Sequence, residues 1–318
     1  MNKTQALYQW GQLAAPLIAT AAVSFASQAH AATLGAAADY NVFTVGNVTQ
    51  QWTDIEGKVA AGGNISFSGG IGHKLSANSG NVAVAGGNFT YNGGELQHGN
   101  AVYGGQANLF NGANIKDGNL VKGNPIDFNA AGQYLKTLSS SLGNLADNGT
   151  VTNQYGQLKL TGNDSKLNIF TLSGATLAVI NNFQIFAPPG STVVVNVTGT
   201  IASMQNFGFN INGTDQQKVL YNFAQATQLT LSSIGVQGSI LAPLAAVTFN
   251  NGQLNGNLIA GSLSGSGESH NYLFNGALPD APTGGQNSAP VPEPTTMAGT
   301  GLFALLAGWY RRRREKTV

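Results

Sequence analysis

Cysteine is absent from all 318 residues. That excludes disulfide staples and thiolate metal sites, so stability has to come from packing and backbone hydrogen bonds. Charge is scarce as well: Asp, Glu, Lys and Arg make up 8% of the chain, against about 25% in ordinary globular proteins. With both termini set aside, eight lysines face eleven acids, a net charge of −3. No basic cluster remains to bind nucleic acid or an anionic membrane. What the chain has in quantity is glycine, 43 residues, and asparagine, beside 42% hydrophobic residues. That hydrophobic share is enough for burial, so disorder is not expected despite the glycine. Many short strands joined by Gly and Asn turns are the expected outcome.

The termini carry the addresses. Lys3, an apolar stretch from Leu13 to Phe25 and the small-residue triplet Ala29-His30-Ala31 fit a secretory signal peptide cut after Ala31, with Ala32 the first mature residue. At the other end Val291-Pro292-Glu293-Pro294 is followed by Thr295-Thr296, an apolar run from Met297 to Tyr310, and Arg311, Arg312, Arg313 and Arg314. The run is shorter than the ~20 residues of a comfortable membrane span, which suits a transient segment at the inner membrane. This tail resembles the PEP-CTERM sorting signal of Gram-negative bacteria. The resemblance implies recognition by an exosortase, a membrane-embedded processing enzyme, and cutting near Pro292-Glu293-Pro294. The precursor is then expected to be held in the inner membrane before it passes to the cell surface, outer membrane or extracellular matrix.

Between these signals lie about 255 residues, the length of one sizeable domain. Val59-Ala60-Ala61-Gly62-Gly63-Asn64 is echoed by Val82-Ala83-Val84-Ala85-Gly86-Gly87-Asn88, and the offset from Gly62 to Gly86 is the same as that from Gly69 to Gly93. A third glycine pair stands at Gly104-Gly105. An offset within the range of ~20 to 50 residues predicts stacked repeats. The alternation in Ile65-Ser66-Phe67 and Phe89-Thr90-Tyr91 predicts strands within each repeat. Phe128, Ala131, Leu135, Leu138, Leu142 and Leu145 then fall three or four apart, one stripe of a helix. Asp127 is its N-cap, and Asn148-Gly149 its expected left-handed stop. Strands resume after Gly149, with Asp147, Asp164 and Asp215 in turns between them.

Ile55-Glu56-Gly57-Lys58-Val59, Gly238-Ser239-Ile240-Leu241-Ala242-Pro243, Leu254-Asn255-Gly256-Asn257-Leu258 and Gly267-Glu268-Ser269-His270 resemble the choice-of-anchor A family. That family comprises bacterial surface proteins with one adhesin-like domain on differing anchors, sometimes labelled collagen-binding. The expected fold is all-β, a right-handed β-solenoid with one flanking α-helix over about Asp127 to Leu145. The expected organisation is a signal peptide over 1–31, the adhesin-like domain over 32–278, a Pro/Gly/Ser linker over 279–290, and the sorting signal over 291–318 with a span at 297–310.

The expected function is a non-enzymatic, exported surface or matrix adhesin in a biofilm or exopolysaccharide setting, with extracellular polysaccharide or a matrix protein as its partner. The rival is a polysaccharide-active β-helix enzyme. Glycosidic chemistry needs paired carboxylates or a carboxylate with a base. The closest pairs are Asp54 with Glu56 and Glu268 with His270, each two residues apart and so on one strand face. Their Gly/Ser-rich surroundings favour structural acids, and no catalytic residue is assigned. His73, His98 and His270 lack metal-ligand spacing, so no metal or other cofactor is expected.

Overall fold

The computed structural model describes residues 33–279. Short strands stack in parallel register into a three-faced β-solenoid with one long flanking helix, the all-β architecture expected from the sequence. The stacking order is not the chain order. From Val42–Thr44 the coils add one upon another through Val59–Ala61, Asn81–Ala85, Asn100–Tyr103 and Leu120–Lys122. The helix Phe128–Gly143 then carries the chain away from this end. A second series starts at Leu167–Ser173 and builds through Thr192–Thr198, Val219–Asn222, Ser239–Asn255 and Leu258–Gly265. The last of these strands pairs with the first described strand, Val42 opposite Leu258. The two half-solenoids therefore close on each other.

The echo seen in the sequence is one turn of this stack: Val59 lies opposite Ala83 and Ile65 opposite Phe89. Its length is not the general period. The turns from Val42 to Val59, from Ala83 to Ala101 and from Ala101 to Leu120 are all shorter. The longer turn contains the excursion between Ile71 and Gly80, which loops outside the coil and holds only bends and turns beyond its bridge residue. The third glycine pair follows the shorter step, with Gly104 donating to Ala85 and Gly105 to Gly87.

The glycines at this corner are needed for close approach. Asn47, Asn64 and Asn88 form a side-chain ladder in which each carboxamide oxygen accepts from the backbone N–H of Asn64, Asn88 and Gln106 in turn, all at 2.8 Å. A Cβ on Gly63, Gly87 or Gly105 would collide with the carboxamide oxygen beneath it. The Gly-Gly-Asn echo is thus one hydrogen-bonded corner repeated, and any side chain at the second glycine breaks it.

Two apolar layers hold the fold. Inside the coil, Val59, Val42, Leu258, Ile240, Tyr221 and Val195 stack in register, all buried. The alternate residues Val102, Val84, Ala60, Phe43, Ile259 and Leu241 point outward and are buried under the helix by Phe128, Ala131, Leu135, Leu138 and Leu142. This column turns polar at Asn222 and Asn196, where the helix ends. Asn222 donates to the Ser139 carbonyl at 2.9 Å, and Asn196 to the Leu142 carbonyl at 2.8 Å. These bonds anchor the C-terminal turns of the helix to the polar end of the column. Asp127 caps the other end by accepting from Ala130 N–H. The helix stops at Gly143 with Asn144 at φ −96°, so the expected left-handed stop at Asn148-Gly149 is corrected. Asn148 instead ties two strand residues, accepting from Ile169 and donating to Leu167. The turn acids are structural: Asp164 accepts from Lys166 and Leu167, Asp215 from Gln217, and Asp147 from the Thr171 hydroxyl.

Candidate functional site

Of the three solenoid faces, one is covered by the helix. The second is open and bears a single column of short polar side chains. Register places Ser203 beside Thr230, Thr230 beside Thr248, Thr248 beside Ser264, Ser264 beside Thr49, Thr49 beside Ser66, Ser66 beside Thr90 and Thr90 beside Asn108. These eight residues come from eight successive coils and from both ends of the described chain. With strands about 4.8 Å apart the column runs for about 34 Å. No charged residue interrupts it. Thr49, Asn108, Thr230, Thr248 and Ser264 are exposed, and Ser66, Thr90 and Ser203 half-buried.

The column follows from strand alternation. Its neighbours one residue away, Val48, Ile65, Phe89, Leu229, Val247 and Leu263, are all buried in the core. The inward residues fix the backbone, and the outward hydroxyls inherit its regularity. Two partial columns flank it: Gln205, Ser232 and Asn250 on one side, Gln228, Ala246 and Ser262 on the other. The result is an uncharged face, polar along its centre at strand spacing, with Ala246 and the exposed Ile201 in one flanking column. Such a surface can engage a periodic hydrogen-bonding partner at many points together.

The third face gathers the residues singled out as catalytic pairs. Ile55 bridges Ser269, which sets the Asp54 and Glu56 strand face beside that of Glu268 and His270. Their side chains are engaged in structural bonds. Asp54 accepts from Gly70 N–H at 2.7 Å, and Glu56 from Asn271 N–H at 2.9 Å. His270 lies between Asn255 at 2.9 Å and Glu268 at 3.3 Å, and His73 lies 3.9 Å from Glu56. His98 is apart from these, 4.0 Å from Asp117. Three shallow grooves on the described surface are lined by none of these six residues. Among the described residues no three His, Asp or Glu side chains cluster as metal ligands. No described helix is long and apolar enough to cross a membrane. The sorting-signal residues Val291, Pro292, Glu293, Pro294 and Arg311 to Arg314, the 297–310 span and the Ala29, Ala31 and Ala32 cleavage positions lie outside the described residues.

The column was not singled out from sequence. Its members are a full coil apart within each half, and the link from Ser264 to Thr49 runs backward across most of the chain. The one local signal is an exposed Ser or Thr between two core residues, as in Val48-Thr49-Gln50 and Val247-Thr248-Phe249.

A family profile described as an ice-binding-like adhesive domain matches residues 33–271, and one described as the PEP-CTERM protein-sorting motif matches residues 290–314. Among solved structures, an ice-binding protein from the Antarctic ascomycete Antarctomyces psychrotrophicus is similar at 13% identity, covering 76% of this chain and 98% of that one, with a TM-score of 0.38. An ice-binding protein from an Antarctic Flavobacteriaceae bacterium is similar at 12% identity, covering 78% of this chain and 99% of that one, with a TM-score of 0.27. No curated protein matches.

Proposed function

This chain belongs to the ice-binding-like adhesive domain family, and from that premise we propose that it is a non-enzymatic surface adhesin whose hydroxyl column binds extracellular polysaccharide. The observation that carries the reading is the uninterrupted run from Ser203 to Asn108 across eight coils. A polysaccharide chain offers hydroxyls at regular intervals, so many weak hydrogen bonds can form in register and add through multivalency. The lack of charge on the column fits a neutral partner.

The PEP-CTERM motif supports export and handling by an exosortase. In this reading the arginine block keeps the tail's end cytoplasmic, the apolar segment holds the precursor in the inner membrane, and cutting near Pro292-Glu293-Pro294 frees the domain for the cell surface or matrix. Choice-of-anchor A behaviour, one adhesive domain on interchangeable anchors, and a biofilm setting belong to the same proposal.

A second reading takes ice as the partner. The family description favours it, and the same flat column could order water. The two readings separate in one pair of assays on the purified protein: retention on insoluble exopolysaccharide, and inhibition of ice recrystallisation. Retention without ice activity supports the polysaccharide reading. Ice activity without retention replaces it.

A further inference from the structure

Past the strands of the open face the chain turns a recurrent corner, and in seven of the eight coils it does so with a left-handed residue at one position. Gln50, Phe67, Tyr91, Leu109, Met204, Leu231 and Phe249 occupy one register column. The residue two places further on has positive φ in each case: Trp52 at 55°, Gly69 at 130°, Gly93 at 81°, Asn111 at 48°, Asn206 at 55°, Ser233 at 51° and Asn251 at 51°. In the eighth coil Gly265, in the column itself, takes the positive φ. Six of the seven are Gly, Asn or Ser, small residues suited to the turn. The seventh is a tryptophan, for which this conformation is an outlier. Its side chain is 81% exposed, so packing does not account for it either. A residue that breaks the local rule and buries nothing is where function is expected.

The surroundings suit a ligand with an apolar face and polar edges. The backbone N–H of Trp52, next in the chain to Gln51 of the groove wall, donates to the Ser68 hydroxyl at 3.4 Å. From Gln51 and Ser68 a shallow groove of about 360 Å³ runs across the next coils to Asn92, Phe110 and Asn111. Gly69, Gly70, Gly93 and Gly94 form the corner beside it and carry no side chains to fill it. Phe110, at the far end, is 52% exposed. The groove spans three coil steps, about 14 Å, along the axis of the stack and beside Ser66 and Thr90 of the hydroxyl column.

We propose that Trp52 and this groove form a saccharide-binding subsite that takes an extended, flat β-1,4-linked pyranose segment. The indole stacks on the C–H face of one ring, Phe110 meets another, and Gln51, Ser68 and Asn92 bond to hydroxyls at the ring edges. This inference rests on the polysaccharide reading and gives it an end point: the column supplies many weak contacts, and the groove one strong anchor.

Trp52 is the sole tryptophan between the secretory and sorting signals. The full chain carrying Trp10→Phe and Trp309→Phe therefore reports on one indole. Titration with cellohexaose and chitohexaose is expected to shift and saturate its emission with at least one of them. By calorimetry Trp52→Asn should weaken that binding at least tenfold, with Trp52→Phe retaining most of it. Trp52→Asn should also melt at a higher temperature than the parent, because asparagine fits the left-handed corner. Gln253→Asp, on the third face where Gln253 lies beside Glu268, should leave hexasaccharide binding unchanged. Emission unmoved by both sugars, or binding unaltered in Trp52→Asn, overturns the inference. If Trp52→Asn still adheres to insoluble polysaccharide while Thr248→Asp does not, the column reading survives and the subsite alone is lost.

Discussion

Phe43, in the first strand of the described chain, sits in register beside Ile259, in its last long strand. Both side chains are buried under the helix, and Phe43 also packs on Phe128 with ring centroids 5.5 Å apart. The seam between the two half-solenoids is thus core, where sequential repeat stacks have only nearest-neighbour contacts. Phe43→Ala should cost about 3–5 kcal/mol, the usual range for an emptied aromatic site. Urea denaturation followed by circular dichroism and by tyrosine fluorescence should give one coincident transition in the parent. Two separated transitions would mean that the halves fold independently.

Asn222 and Ser139 form the polar end of the helix interface, each both donating to and accepting from the other. Asn222→Leu continues the apolar column but leaves the Ser139 carbonyl and hydroxyl without this partner. It should destabilise by about 1–3 kcal/mol. Adding Ser139→Ala should recover part of that loss, a coupling that a double-mutant cycle measures.

Tyr91 and Tyr221 are buried, and burial pushes both phenols above their ordinary value of 10.0. Each hydroxyl donates to a backbone carbonyl, Gly69 and Gln237 respectively. The unfolded chain loses these protons near pH 10 while the folded chain keeps them. Their contribution is therefore complete below pH 10, and stability falls as pH rises beyond it. In an alkaline titration the phenolate absorbance of these two residues should appear together with unfolding. Early ionisation of all nine tyrosines in a still-folded protein would contradict this.

Mass spectrometry of protein recovered from the cell surface tests the sorting account. A C-terminus near Pro292-Glu293-Pro294, absent in a strain without the exosortase, is expected. An intact Arg311 to Val318 tail on surface-exposed protein would make the segment a simple anchor.

Much of the fold was legible because it is local. The helix announced itself through the spacing of Leu135, Leu138 and Leu142, and the Gly-Gly-Asn corners through their repetition. The offset from Gly62 to Gly86 was a real contact, but the coils differ in length, shorter from Val42 to Val59 and longer from Val193 to Val219, so it revealed the architecture without a single pitch. Closure of Val42 on Leu258 was not legible, since nothing near either residue encodes the other. The hydroxyl column was hidden for the same reason: Thr49 reads as an ordinary outward strand residue until Ser264 and Ser66 are placed on either side of it. The acids drew notice because charge is scarce, and the structure engages Asp54 and Glu56 in backbone bonds.

If the hydroxyl column is the adhesive surface, placing charge on it should abolish adhesion. Binding isotherms on insoluble polysaccharide should be compared for the parent, for Thr49→Asp with Thr248→Asp on the column, and for Gln253→Asp on the third face, beside Glu268. All three proteins should melt within a few degrees of one another, since these are surface changes of roughly 0.5 kcal/mol each. At least a tenfold loss of affinity is expected for the column variant and none for the third-face variant. Parent-like adhesion by the column variant, or loss confined to Gln253→Asp, would contradict the column reading.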